Sequence, residues 1–388
     1  MPHKCPYRRL STRIKRTGIG LLMTYLSVLS ASAQAQLRYT LLPDLPALTG
    51  QPNPGVAGAF AGASHDALLI AGGANFPNGF PWQGGTKVWH STVYVLVREG
   101  NRYRWQATHQ LDRPRAYGAS VVWNEQLICV GGNDEKQRFA DVFSLQWNPL
   151  TATLNQQSLP ALPLPLANLA AAISGNSLYV FGGESDRGTE TGLYVLDLKA
   201  LTRGWQKLAD LPGPARAYTA MTAQSDGTDQ SLYVVGGRQT VNGVTTIYSD
   251  VYAYQINRKQ WKRLPDMRQP LAAHQVIAFG SQSLVVFGGD DGKRLRQIEA
   301  LTNQVKVLPE GVDKEKRTTE RNNLQIDHPG FIKTVWQLRT DTKIWSVVDT
   351  LPFPSPVTTP LVRWGNSVII PSGEITPGIR TPAIWKID

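Results

Sequence analysis

SLYVFGG, Ser177 to Gly183, is a short apolar run closed by two glycines. A run of this length ended by a breaker reads as a buried strand, and the paired glycines mark a point where the backbone turns sharply or is closely approached. The same pattern returns along the chain: ALLIAGG ends at Gly73, QLICVGG at Gly132, SLYVVGG at Gly237 and SLVVFGG at Gly289, and a degenerate copy, SVIIPSG, ends at Gly373. The first glycines stand at 72, 131, 182, 236 and 288, with spacings of 59, 51, 54 and 52 residues. The step from Gly288 to Ser372 is 84 residues. Against a period of about 50, that places an insertion of roughly 30 residues in the fifth unit.

Each copy carries similar marks downstream. A strand with an aromatic follows the glycines (TVYVL, DVFSL, GLYVLDL, DVYAYQI, TVWQL), and after a turn comes Trp105, Trp205, Trp261 or Trp345; the second unit lacks this tryptophan. Four short strands per unit at this period describe one blade of a kelch-type β-propeller, so the chain is expected to be all-β and six-bladed. The last unit runs out at Asp388 one strand short, while LRYTLLPDLP, Leu37 to Pro46, is a strand without a blade. The N-terminal strand is therefore expected to complete the last blade and close the ring. Residues 36–388 form a single propeller in this reading. The insertion, at about 292–330, is a charged surface excursion with helix among its readings, either a solvated loop or a lid over one end of the ring.

The first 35 residues differ from the rest. KCPYRRLSTRIKR is basic, GIGLLMTYLSVL is apolar and SASAQA offers small-residue exits, the pattern of a secretory signal with the periplasm as destination. The apolar stretch is shorter than the roughly 20 residues a bilayer crossing needs, so no membrane attachment is expected after cleavage. Lys4, Arg8, Arg9, Arg13, Lys15 and Arg16 lie in this segment and no acid does, so the formal charge falls from +11 to +5 without it. No basic run remains of the kind that binds nucleic acid. Of the two cysteines, Cys5 lies in the signal and Cys129 in a core strand, which leaves no intramolecular disulfide. The oligomeric state is open, a homo-oligomer included.

Polar residues recur at two places in the repeat. Directly after the paired small residues stand Ala74, Asn133, Glu184, Arg238, Asp290 and Glu374. At the start of each innermost strand stand Arg115 and Tyr117 (RPRAYGAS), Asn168 (PLANLAAAI), Arg216 and Tyr218 (GPARAYTAM) and His274 (PLAAHQVIAF). Strand ends around a propeller's channel share a funnel, where ligand sites form. Two arginines facing it would make a carboxylate clamp; alternatively, they bond turn carbonyls and the tyrosines pack. Glu374, with Arg380 six positions on, is either a proton-transferring group or half of a salt bridge that orders its loop. The histidines are scattered without metal-ligand spacing, and there is no G-x-S-x-G elbow, H-E-x-x-H helix or phosphate loop.

GVAGAFAGASHDALLIAGGANF, RAYGASVVWNEQLICVGG and SGEITPGIRTPAIWKID resemble the N-acetylneuraminate epimerases, or sialic acid mutarotases, a secreted kelch-propeller family, over nearly all the chain after the signal and in cyclically permuted order. The family's proton-accepting glutamate lies in G-E-x-x-P-G-[LI]-R-T, which Gly373 to Thr381 matches. The resemblance thus implies that Glu374 is the catalytic base, with Arg380, Arg115, Tyr117, Arg216 and His274 binding substrate. It implies an acidic sugar as the small-molecule partner, and anomer interconversion without cofactor or metal. The stretch PNGFPWQGGTKVWH, holding Lys87 and His90, departs from the family in length and content. A non-catalytic propeller that binds glycan or protein, and a mutarotase for another sugar, are the alternative readings.

Overall fold

Each copy of the glycine-ended run forms the second strand of an antiparallel sheet. In blade three, for instance, Ser177–Phe181 pairs with Ala170–Ser174 on one side and with Leu193–Asp197 on the other, and Gln206–Lys207 is outermost. The computed structural model describes residues 37–47, 50–100 and 102–388, and six such sheets are arranged among them as a β-propeller. The export signal read over residues 1–35 lies outside the described residues.

The paired glycines are required by contact between blades. The second glycine of a pair donates its N–H to the next blade's entering strand: Gly73 to Arg115 O at 2.9 Å, Gly132 to Leu166 O at 2.8 Å, Gly183 to Arg216 O at 3.0 Å and Gly237 to Leu271 O at 2.8 Å. The first glycine has positive φ, and a Cβ there would lie 2.3–2.5 Å from those same carbonyl oxygens. In these four copies glycine meets both constraints at no steric cost. In the degenerate sixth copy Ser372, left-handed at φ 61°, donates its hydroxyl to Val56 O at 3.0 Å and accepts from Val56 N at 2.9 Å.

The hydrophobic core is divided into six clusters, each between neighbouring blades, with aliphatic side chains from facing sheets interdigitating. Four repeat tryptophans tie this packing at the rim. Trp105, Trp205, Trp261 and Trp345 donate their indole N–H to Asp44, Pro160, Ala209 and Pro265 carbonyls at 2.8–3.0 Å.

A second ring lies at the axis. Gly58, Tyr117, Asn168, Tyr218, Ala273 and Thr358, one per blade, are all left-handed, with φ from 51° to 69°. Each N–H bonds the carbonyl of its counterpart in the neighbouring blade: Tyr117 to Gly58, Asn168 to Tyr117, Tyr218 to Asn168, Ala273 to Tyr218, Thr358 to Ala273 and Gly58 to Thr358, at 2.6–3.3 Å. Six backbone bonds thereby close on themselves and constrict the channel.

The last blade orders its strands Val362–Trp364, Ser367–Thr376, Ile379–Ile387 and Tyr39–Leu42, so the N-terminal strand does close the ring. The extra residues of blade five form two helices, α1 (Lys293–Val307) and α2 (Val312–Ile326), neither with a buried side chain. Among the described residues no helix is long and apolar enough to cross a membrane.

Candidate active site

On one side of the axial ring lies a cavity of about 360 Å³, walled by the residues that follow the paired glycines. Its position follows from the repeat: Asn133, Glu184, Arg238, Asp290 and Glu374 each form an isolated bridge to the residue before the left-handed one, which anchors five polar side chains around one opening. Tyr117, Asn168, Tyr218, Ala273 and Thr358 form its floor, and they also line a channel of about 460 Å³ beyond the ring. That channel is walled mainly by small apolar residues. The funnel holds the charged groups.

Glu374 sits in a hairpin that extends the last blade. It pairs across the ladder with Arg380, and irregularities on both sides of it turn the strand. The tight turn at Pro377 and Gly378 (φ 86°) presses against Pro81 and Trp82. Glu374 Oε1 accepts from Gly378 N at 2.8 Å and from Arg380 Nη1 at 3.0 Å. The other oxygen, Oε2, accepts no hydrogen bond among the described residues. The ion pair and the proton-acceptor reading are therefore compatible, since one oxygen is fixed and its twin is free.

Around this pair the structure gathers Phe76, Lys87, Trp89 and Tyr117. The Arg380 guanidinium lies 4.9 Å from the Phe76 ring, and Lys87 Nζ stands 5.2–5.8 Å from the rings of Tyr117, Trp89 and Phe76. Burial, helped by the charge of Arg380, lowers the Lys87 pKa, and Glu374 opposes this. Burial raises the pKa of Tyr117, so its hydroxyl keeps its proton at neutral pH. On the far wall Tyr218 is pushed up to about 12 by burial, and burial likewise raises Asp290. Leu295 of α1 and Phe331 complete the rim. Among the described residues no cluster of His, Cys, Asp and Glu could hold a metal ion.

The structure brings together Glu374, Arg380 and Tyr117 and places the other three expected residues elsewhere. Arg115 and Arg216, 1% and 0% exposed, occupy a position that the remaining blades fill with Val56, Leu166, Leu271 and Pro356, inside the packing. Arg115 pairs with Asp112 at 2.8 Å and Asp141 at 3.4 Å between the rings of Phe139 and Phe143. Arg216 holds Asp250 with two bonds, at 2.5 and 3.0 Å, beside Tyr248 and Tyr252. The left-handed turn at the following tyrosine separates each arginine from the side chain that does reach the funnel. His274, one residue past the ring, lines the channel on the other side, and burial lowers its pKa to about 4. His90 is tied to Asn75 by a 2.8 Å hydrogen bond. Lys87, in the stretch unlike the family, and Arg238 join the funnel although neither stands among the residues expected to bind substrate. The place of Arg238 directly after the paired glycines was the available signal.

Fold and site together define a six-bladed propeller with a carboxylate, an arginine and a phenol converging in one funnel. The family model for N-acetylneuraminate epimerase matches residues 20–153 and 159–388, so the chain belongs to that family. The chain is 28% identical over 228 residues to a kelch domain-containing protein of Vibrio cholerae, covering 58% of this chain and 62% of that one. It is 25% identical over 236 residues to an N-acetylneuraminate epimerase of Shigella sonnei, covering 60% and 61% of the two chains. With the epimerase of Yersinia enterocolitica it shares 38% identity over 107 residues, 25% of this chain and 26% of that one. These matches span from about a quarter to three fifths of the relatives' length. The solved structure of YjhT superimposes with a TM-score of 0.59 at 16% identity, over 88% of this chain and 95% of that one, a likeness of fold.

Proposed function

We propose that the protein is a mutarotase that interconverts the α and β anomers of N-acetylneuraminate by acid/base ring opening and closure. The observation that carries this reading is the divided carboxylate of Glu374, with Oε1 held by Gly378 and Arg380 and Oε2 free in a funnel of substrate size. Oε2 takes the proton of the anomeric hydroxyl. The Tyr117 hydroxyl, which burial keeps protonated, gives one to the ring oxygen as the bond from that oxygen to the anomeric carbon breaks. The open keto acid turns about one bond and recloses on its opposite face, returning both protons, so no redox or group-transfer partner is consumed. Spontaneous mutarotation is already measurable, and general acid–base catalysis of about 10²- to 10⁴-fold is sufficient. The basic and apolar N-terminal segment would deliver this activity to the periplasm.

The test is anomer exchange by NMR, starting from crystalline single-anomer N-acetylneuraminate. Wild type should speed the approach to equilibrium, and folded Glu374→Gln should return it to near the spontaneous rate, a loss of about 10²-fold or more. A wild-type rate equal to the spontaneous one would remove the reading.

A further inference from the structure

Among the described residues three cationic side chains line the funnel: Lys87, Arg238 and Arg380. Arg380 is neutralised by Glu374, and a substrate carboxylate placed on it would crowd two anions onto one guanidinium. Lys87 lies among three aromatic rings, and burial works against its charge. Arg238 differs from both. Among the described residues it forms no ion pair, its Nε is enclosed without a hydrogen-bond partner, and its guanidinium lies 3.9 Å from the Tyr218 ring centroid. Two acids of the same funnel wall are engaged locally: Glu184 Oε2 accepts from Asn168 at 2.8 Å, and Asp290 Oδ1 accepts from Gly292 N at 2.8 Å while its carboxyl feels the charge of Arg238 without pairing with it.

We infer that Arg238 receives the carboxylate of the substrate and makes the funnel select acidic over neutral sugars. Stacking on Tyr218 fixes the plane of the guanidinium, and Tyr218 is itself fixed by the axial hydrogen-bond ring. A fork held in this way suits the two oxygens of a carboxylate and loses little freedom on binding. Glu374 and Arg238 stand on blades six and four and line the same cavity of about 360 Å³, so one small molecule filling it meets both. The carboxylate would dock at blade four while the anomeric hydroxyl faces Glu374 Oε2.

This inference rests on the mutarotase reading, and the experiment separates the two. Anomer exchange is followed at rising concentrations of N-acetylneuraminate and of its uncharged methyl ester, with wild type, Arg238→Gln and Arg238→Lys. Wild type should show a KM for the acid about 10- to 100-fold below that for the ester. Arg238→Gln should raise the acid's KM by a similar factor and leave the ester's KM in place, the loss falling on KM rather than kcat because the clamp holds ground and transition states alike. Arg238→Lys, which keeps the charge without the fork, should fall between. Undiminished preference for the acid in Arg238→Gln overturns the inference while wild-type acceleration keeps the mutarotase reading. Should Arg238→Gln fail to fold, an acid-to-ester ratio in Arg238→Lys equal to that of wild type overturns it as well. If wild type accelerates neither sugar, both readings fall together.

Discussion

His274 stands where the other blades place Ala59, Gly118, Leu169, Thr219 and Thr359, and among the described residues its buried ring nitrogens make no hydrogen bond of good geometry. Burial holds its folded-state pKa near 4 against an ordinary 6.5, so between these values the unfolded chain binds a proton that the folded chain does not. Its contribution to stability is complete above about pH 6.5 and is lost as the pH falls towards about 4. Between about pH 7 and pH 4.5 wild type should thus lose about 2 kcal/mol more than His274→Gln, the carboxylates being common to both. Urea midpoints of the two proteins at both pH values check this, and equal losses would show that the imidazole does not carry the acid sensitivity. Arg115 and Arg216 show how much of the site was legible at this scale. In the two units that carry R-A-Y, an acid stands across the blade, Asp141 and Asp250, where the other glycine-paired units have Thr92, Gly192 and Thr334. That pairing was readable as an internal clasp. Glu374 and Arg380 were legible because a motif carries them, whereas the lack of an ion pair on Arg238 among the described residues depends on geometry that spacing does not supply.

At the scale of elements, the strands were legible because each apolar run is ended by glycines that adjacent backbone demands. The insertion was legible as a charged surface excursion at about 292–330 with helix among its readings, but its division into two helices was not, because they cover the molecule with no buried side chain to mark a core face. Polar contacts hold the pair in place. Thr245 N donates to Glu299 at 3.0 Å and Asn303 donates to Gly243 O at 3.1 Å, both from α1 to blade four, and Asn322 of α2 donates to Trp82 O of blade one at 3.4 Å. The helices therefore link two sides of the funnel mouth, and Leu295 faces the cavity. Excising residues 293–327 and joining the ends through a short Gly-Ser turn should leave blade five folded, with a stability change within about 1 kcal/mol, because no buried side chain is lost. The KM for sugar should rise by about tenfold as the apolar rim opens. Thermal melting and saturation kinetics of the excised protein measure both, and an unchanged KM would reduce the helices to decoration.

At the scale of the whole molecule, stability depends on closure, because each core cluster belongs to two blades and no blade buries its faces alone. Blades six and one share Leu42, Leu45, Val56, Leu68 and Ile384, and two of these residues arrive with the N-terminal strand. That strand also brings Tyr39, whose hydroxyl donates to Asp349 at 2.8 Å and whose ring meets Phe353 edge-on at 5.6 Å. A chain that starts at residue 46 should therefore leave Ile379–Ile387 as an open edge and lose the burial of Leu42 and Leu45, at about 1.5–3 kcal/mol each. For a chain of this size the melting temperature should fall by about 10 °C, and the exposed edge should recruit other copies, visible on gel filtration as species larger than those of the full-length protein. A synthetic peptide of residues 36–47 separates these effects from general damage, since it offers the missing strand in trans. If closure is what holds the ring, the peptide should restore both the melting temperature and the full-length protein's elution volume in a saturable way. A truncated chain that melts with the full-length protein would instead place the closure in the six axial backbone bonds, which survive the truncation intact.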